Sequence, residues 1–320
     1  MCINLRITKN INTNFVLLSA IYFLNTDLKT YVHVYNMCVF LGIGFYTALD
    51  FAARGARVIL ACRNERKAQN AQNKIIQLTK NPNVVYKLID MTSLSSVRDF
   101  AQDINETEDR VDILVNNAGA GGLGDHYTSD GLQITLQVNH ISNFLLTHLL
   151  INKIKKSAPS RIVNVSSLLA NFSNLKIDEV NKFPSKITHA LSDLQLYANS
   201  KLANILFTIE LSTKLKGTGV TVHALHPGAV NTEIYRRIPP IFKIGADIII
   251  GLYFKTAEEG AQTTIYTAVS EQLDGVTGKL FDNCTEIPMY HKARDSNLAQ
   301  ALWKVSEELA KLGEDEKILY

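Results

Sequence analysis

Cysteine, proline and long apolar runs are all scarce in this chain of 320 residues. The four cysteines, Cys2, Cys38, Cys62 and Cys284, lie far apart, and no CxxC pair occurs. That spacing excludes a zinc ribbon and a dense disulfide framework, and a reducing compartment is the simpler setting. Seventeen Gly and seven Pro are too few for collagen or low-complexity disorder. No apolar run reaches the length of about eighteen residues expected of a standard spanning helix. An excess of one charge is missing as well. Thirty-three basic side chains against 30 acidic ones leave a net +3, with no basic stripe for nucleic acid. His223 and His226 have HxxH spacing, but on a strand that spacing sends the side chains to opposite faces, so no metal site is expected.

Hydrophobic residues make up 46% of the chain, enough for a sizeable core. From Gly42 onward, strand and helix patterns alternate. Phe45–Arg54 has helical spacing and stops at Gly55. Arg57–Ala61 reads as a buried strand, Asn64–Lys80 as a polar helix, Val84–Leu88 as a strand and Ser93–Ile104 as a helix. Asp112–Val115 is strand-like and leads into a glycine-rich loop at Ala118–Gly124. The spacing then predicts a helix over Ser129–Lys156, a strand over Arg161–Val165, a helix over Gln195–Leu215 and a strand over Val220–Leu225. Such alternation argues an α/β fold, a doubly wound parallel sheet with helices on both faces. With no polar linker in the interior, residues 30–320 are expected to form a single domain and residues 1–29 an N-terminal extension.

Three apolar features stand apart from this pattern. Phe15–Leu24 follows Arg6 and Lys9, with no acid before Asp27. It reads either as a short membrane anchor or as a bare extension. Ile238–Phe254 is apolar but broken by Lys243 and Asp247. It reads as a helix over a substrate pocket or as core. Leu298, Leu302, Val305, Leu309 and Leu312 mark one helix face. That face packs within the monomer or forms a homodimer interface.

The chemistry centres on Tyr197 and Lys201, four residues apart and so on one helix face. A free tyrosine, with a pKa of about 10, is a poor acid–base group at neutral pH. A neighbouring ammonium favours the phenolate and lowers that value, by about 1–3 units for a close charge. Ser166 and Ser167 follow one strand, Asn116–Gly119 another and Pro227–Gly228 a third. Ligands of doubly wound sheets bind at such carboxyl ends of strands.

In this order the motifs resemble the short-chain dehydrogenase/reductase family, from about Gly42 to Leu312. Gly42, Ile43 and Gly44 look like the end of the family's phosphate loop. Asp90 and Met91 match the adenine-pocket position, and Asn117, Ala118 and Gly119 fall in the NNAG segment. The resemblance implies Asn139, Ser167, Tyr197 and Lys201 as catalytic residues, Asn139 also holding a water in a proton relay. It implies Pro227, Gly228, Val230 and Thr232 beside the nicotinamide, and ribose contacts for Lys201 next to Tyr197. The stretches Ala53–Asn64, Leu225–Ile234 and Lys255–Thr263 look like the retinol dehydrogenase group. That implies NADP(H), a hydrophobic alcohol or carbonyl substrate and an endoplasmic reticulum membrane surface. A steroid or xenobiotic carbonyl reductase, and a non-catalytic protein of the same fold, are the alternatives.

The chain departs from the family pattern at Cys38, which replaces the first loop glycine, and at Met37, where Thr is usual. A Cβ there crowds the turn after the first strand, so weaker cofactor binding is expected. Either the loop is remodelled, or the first forty residues are an unusual splice form or a faulty gene model. Phe45 takes a position that is often basic, so recognition of a 2′-phosphate falls to Arg63. Its alternative role is to cap a strand end.

Overall fold

The computed structural model describes residues 33–37, 42–184, 189–230 and 255–318. Phe15–Leu24, Cys38, Thr232 and Ile238–Phe254 lie outside the described residues. One eight-stranded sheet organises the rest, with the order β3-β2-β1-β4-β5-β6-β7-β8. Its strands are β1 (His33–Met37), β2 (Arg57–Cys62), β3 (Val84–Leu88), β4 (Ile113–Asn116), β5 (Ser160–Val165), β6 (Val220–Leu225), β7 (Lys279–Asp282) and β8 (Thr285–Ile287). The first seven pair in parallel. The sheet winds outward both ways from β1 and β4, which pair with each other, so the strand order reverses between them. That reversal opens the crevice in which doubly wound sheets bind their ligands.

The sheet is the doubly wound parallel one expected from the sequence, and β8 adds an edge strand that runs antiparallel to β7. The two-residue link, Asn283 and Cys284, has φ of 50° and 58°. Two successive positive φ values make the tight hairpin whose twist matches the flanking strands. No Gly advertises this turn in the sequence, although Asn tolerates the left-handed region.

Helices α1 (Ile43–Ala53), α2 (Glu65–Thr79) and α6 (Ala257–Val269) cover one face of the sheet. Phe45, Phe51, Ala68, Ile75 and Ile265 pack there against Val58, Leu60, Val115 and Phe281. Helices α3 (Leu94–Thr107), α4 (Ser142–Lys156), α5 (His189–Lys214) and α7 (Ser296–Leu309) cover the other. Local chemistry starts three of these helices. The Asn64 side chain accepts from Lys67 N, Ser93 from Ser96 N, and Thr256 and Glu259 form a capping box.

Two helices begin elsewhere than expected. The run over Ser129–Lys156 is not helical from Ser129. Gly131, at φ 79°, closes a turn by donating its N–H to Thr128 O, and the Asp130 carboxylate accepts from Leu94 N. Helix starts only at Ile134, with Gln133 as cap. Gln137–Ile141 then widens to π-helix before α4. Helix α5 starts at His189, ahead of the expected Gln195.

The C-terminal apolar face packs within the monomer. Leu302 is buried, and Leu298, Val305, Leu309 and Leu312 pack against the same core. Trp303 lies beside Phe144, His148 and Phe207, with ring centroids 5.0, 5.0 and 5.8 Å away. Among the described residues no helix is long and apolar enough to cross a membrane.

Candidate active site

The parallel strands deliver their carboxyl ends to one edge. Gly42 follows β1, Arg63 follows β2, Asp90 and Met91 follow β3, Asn117 follows β4, Ser167 follows β5 and Pro227 follows β6. Pairing aligns neighbours in this row. Ile89 N donates to Cys62 O, which brings Arg63 and Asp90 to adjacent positions. Arg63 is exposed there. Asp90 is half-buried, and its Oδ1 accepts from Thr92 N and Thr92 Oγ1. Met91 is buried, and its carbonyl accepts from Ser142 Oγ at 2.7 Å.

Helix α1 starts at Ile43, immediately after Gly42. Gly42 is extended at the N-cap. A helix N-terminus of this kind presents N–H groups and a positive dipole end, which suits a pyrophosphate. The side chains therefore fit a dinucleotide along the row, with acceptor and cation at the β2–β3 end and helix terminus at the β1 end.

At the β4–β5 end, Lys201 carries an ammonium almost completely withdrawn from water, the residue being 3% exposed. Its Nζ donates to Val165 O at 3.0 Å and lies 5.7 Å from the centre of the Tyr197 ring. Tyr197 is half-buried. Gly119 makes this approach possible. A Cβ on Gly119 would come within 2.5 Å of Lys201 Nζ and 3.5 Å of Asn139 Oδ1.

Asn139 sits in the π-turn before α4 and is buried. Its Oδ1 accepts from Ala120 N at 2.8 Å, and its Nδ2 donates to Ala120 O at 3.0 Å and to Ser200 Oγ at 2.9 Å. It thus joins the glycine-rich loop after β4 to α5, one residue before Lys201. The widened turn leaves Asn139 O to be met by Asn143 Nδ2, at 2.9 Å.

The two serines after β5 separate clearly. Ser166 is buried, and its hydroxyl donates to Lys201 O at 2.6 Å. Ser167 is half-buried and begins a short 3₁₀ turn, Leu168–Phe172, where its Oγ accepts from Leu169 N. Ser167 is therefore the more accessible of the two serines.

On the far side, Gly228 has φ 83°. Lys255, which the sequence reading did not single out, packs on it. Its Nζ donates to Pro227 O at 3.2 Å and to Asn283 Oδ1 at 2.5 Å. Val230 is buried and pairs with Lys255 in a parallel bridge. Val230 and Ile43 meet above Gly260, where a Cβ would come within 2.7 Å of the first and 3.2 Å of the second. In the sequence Lys255 opens the stretch Lys255–Thr263, which by itself gives the lysine no role. Among the described residues no group of three or more His, Cys, Asp or Glu gathers to hold a metal.

A family profile described as short chain dehydrogenase matches residues 38–177. Bovine dehydrogenase/reductase SDR family member 13 is 41% identical over 276 residues, spanning 86% of this chain and 72% of that protein. Human retinol dehydrogenase 13 is 42% identical over 275 residues, 85% of this chain and 82% of its own length. Among solved structures, an uncharacterised protein from Mycobacterium paratuberculosis is similar with a TM-score of 0.69 at 28% identity, covering 88% of this chain and 94% of that one.

The crowding at Gly119 gives a direct test. Gly119→Ala should displace Lys201 Nζ from Val165 O, at an overpacking cost of about 1–3 kcal/mol. A crystal structure of the variant with Nζ unmoved would contradict this reading of the cradle.

Proposed function

The chain belongs to the short-chain dehydrogenase/reductase family, among relatives that include retinol dehydrogenases, and from that premise we propose an NADP(H)-dependent enzyme that interconverts a hydrophobic alcohol with its aldehyde or ketone. Retinol and retinal, or another lipid-derived pair, are the proposed substrates. Membership makes the chain an oxidoreductase with a nicotinamide dinucleotide. The choice of NADP(H), the substrate and the roles of individual residues are the proposal.

One observation carries the reading: the buried Lys201 ammonium within 5.7 Å of the Tyr197 ring, beside the strand end that bears Ser167. A cation so close lowers the cost of a phenolate, so Tyr197 gives a proton to the substrate oxygen in reduction and takes it back in oxidation. Ser167 donates a hydrogen bond to that oxygen. Lys201 holds the tyrosine poised and reaches the ribose of a bound dinucleotide, and Asn139 keeps the loop after β4 and α5 in register. The dinucleotide, when bound, supplies or accepts the hydride. Gly42, Ile43 and Gly44 would hold its phosphates, Asp90 and Met91 its adenine, Asn117, Ala118 and Gly119 its middle, and Pro227, Gly228, Val230 and Thr232 its nicotinamide end. Arg63 would pair with a 2′-phosphate.

The surface around the pair supports an apolar substrate. Leu168 and Phe172 stand exposed on the turn begun by Ser167, and Leu191 and Leu194 on the turns of α5 before Tyr197. Four large apolar side chains exposed within six residues of Ser167 or Tyr197 support an apolar ligand there.

Tyr197→Phe keeps the ring and removes the hydroxyl. Turnover of retinal with NADPH should fall at least about a hundredfold, the lower range for a positioned acid–base group. NADPH affinity, read by fluorescence titration, should change little. An active variant removes Tyr197 from the mechanism.

An arginine–phosphate bond is charge-assisted and worth about 1.5–3 kcal/mol. Arg63→Asp should therefore weaken NADPH and narrow or reverse the preference over NADH. An unchanged ratio of the two dissociation constants would take the selector role away from Arg63.

We also propose association with the endoplasmic reticulum membrane through Phe15–Leu24. Ten residues of helix reach only about 15 Å, half of a hydrocarbon core of about 30 Å, so the insertion would be shallow. Cell fractionation should find the full-length protein with membranes and more of it soluble once residues 1–28 are deleted. A wholly cytosolic full-length protein would refute the placement.

A further inference from the structure

His140 and Asn204 have no part in the roles given above, yet both are buried beside the residues that do. His140 directly follows Asn139 in the π-turn, and Asn204 lies three residues beyond Lys201 on α5. The two consecutive residues of the turn grip α5 on either side of the lysine. Asn139 bonds Ser200, and His140 bonds Asn204.

These side chains form one line of hydrogen bonds. Lys201 Nζ donates to Val165 O at 3.0 Å, and Asn204 Nδ2 donates to the same carbonyl at 3.3 Å. Asn204 Oδ1 faces His140 Nδ1 at 3.3 Å, and His140 Nε2 lies 2.9 Å from Ser306 Oγ on α7. Donor and acceptor capacity sets the direction. An amide oxygen can only accept, so His140 carries its proton on Nδ1. Its Nε2 then accepts from the Ser306 hydroxyl. Every donor in the line points towards Val165 O. Burial holds the His140 ring down to about 4, against the weaker opposing effect of the Asn204 bond, so it stays neutral near pH 7 and the direction does not reverse.

Val165 is the last residue of β5, and Ser166 and Ser167 follow it. Its carbonyl therefore fixes two things at once, the ammonium beside Tyr197 and the path of the strand that delivers Ser167. We propose that Asn204 and His140 are positioning residues that hold this carbonyl, and through it the Lys201 ammonium, against Tyr197, with Ser306 completing the line so that the C-terminal helix sets the acid–base poise of the tyrosine. This rests on the reading of Tyr197 as the acid–base group. Without the Asn204 amide, Val165 O meets the ammonium with one fewer restraint. The lysine then follows the carbonyl away from the ring and stabilises the phenolate less.

The test uses the full-length chain with NADPH and retinal, and records kcat against pH for Asn204→Leu, Ser306→Ala and Tyr197→Phe. The cofactor-free protein gives a second readout, the tyrosinate absorbance of each chain minus that of its Tyr197→Phe counterpart. Asn204→Leu should lower kcat at least about tenfold, within what a small displacement of a catalytic group costs. It should also move the tyrosine-linked limb of both titrations to higher pH, by about half a unit or more. Ser306→Ala should shift both the same way by less. Thr267→Val, buried on the opposite face in α6, should lower thermal stability and leave the limb in place. An unmoved limb in Asn204→Leu overturns the proposal. If that variant does not fold, an unmoved limb in Ser306→Ala overturns it. A fully active Tyr197→Phe sinks the catalytic reading and this proposal with it. An inactive Tyr197→Phe beside an unmoved Asn204→Leu limb sinks the positioning role alone.

Discussion

A lysine ammonium kept almost entirely out of water is the constraint around which this structure is arranged. Withdrawing such an ion from solvent costs several kcal/mol even after relaxation, unless fixed dipoles replace the lost water. At Lys201 the Val165 carbonyl is one such dipole, and the face of the Tyr197 ring adds to it. Both must stand still for the compensation to hold. The end of β5 is therefore pinned from α5 by the Ser166 hydroxyl on Lys201 O as well as by Asn204. The loop after β4 is pinned by both atoms of the Asn139 amide. A glycine at position 119 follows from the same demand, since any side chain there would occupy the ammonium's place. What begins as the cost of one buried charge thus specifies a glycine, an asparagine, a serine and the course of two strand ends.

The sheet supplies the frame that makes such local demands compatible. Seven parallel strands place their carboxyl ends in one row, so residues separated by more than a hundred positions in sequence share an edge. The two walls of the crevice are not independent. Ile43 at the start of α1 and Val230 beyond β6 come together over Gly260 in the first turn of α6. A helix from the far end of the chain is the spacer between them, and its capping box fixes where that turn begins.

Much of this was legible in the sequence. Strands of β-branched residues bounded by Gly, Asn or Pro appeared where they were expected, and so did Tyr197 and Lys201 on one helix. The missed features have two physical causes: partners distant in sequence, and local backbone conformations that leave no mark on the apolar pattern. The helix expected from Ser129 starts at Ile134 because the Asp130 carboxylate is engaged by Leu94 N, 36 residues away. The π-turn at Asn139 leaves no mark on apolar periodicity. The apolar face of α7 is visible in sequence, but only the rings of Phe144 and Phe207 show that it is spent inside the chain. The hairpin at Asn283 and Cys284 uses positive φ values at residues that rarely announce them. The loss of a glycine at Cys38 is plain in the sequence and lies outside the described residues. The strand before it pairs with both β2 and β4 all the same.

The two walls of the crevice are built by different means, and the chemistry explains the difference. On the Lys201 side the restraints are buried side-chain hydrogen bonds, with Asn139, Ser166, Asn204 and His140 all shielded from water. On the opposite side, among the described residues, the restraints are a left-handed glycine, a backbone bridge between Val230 and Lys255, and a half-exposed lysine on Pro227 O. Buried polar networks are rigid because breaking any one bond strands its partner in a low dielectric. Groups open to water exchange partners at little cost. A proton donor must meet the substrate oxygen within hydrogen-bond reach, and a displacement of about 1 Å can cost a hundredfold in rate. The stiff network therefore suits the wall under Tyr197, the proton donor of the proposed reaction.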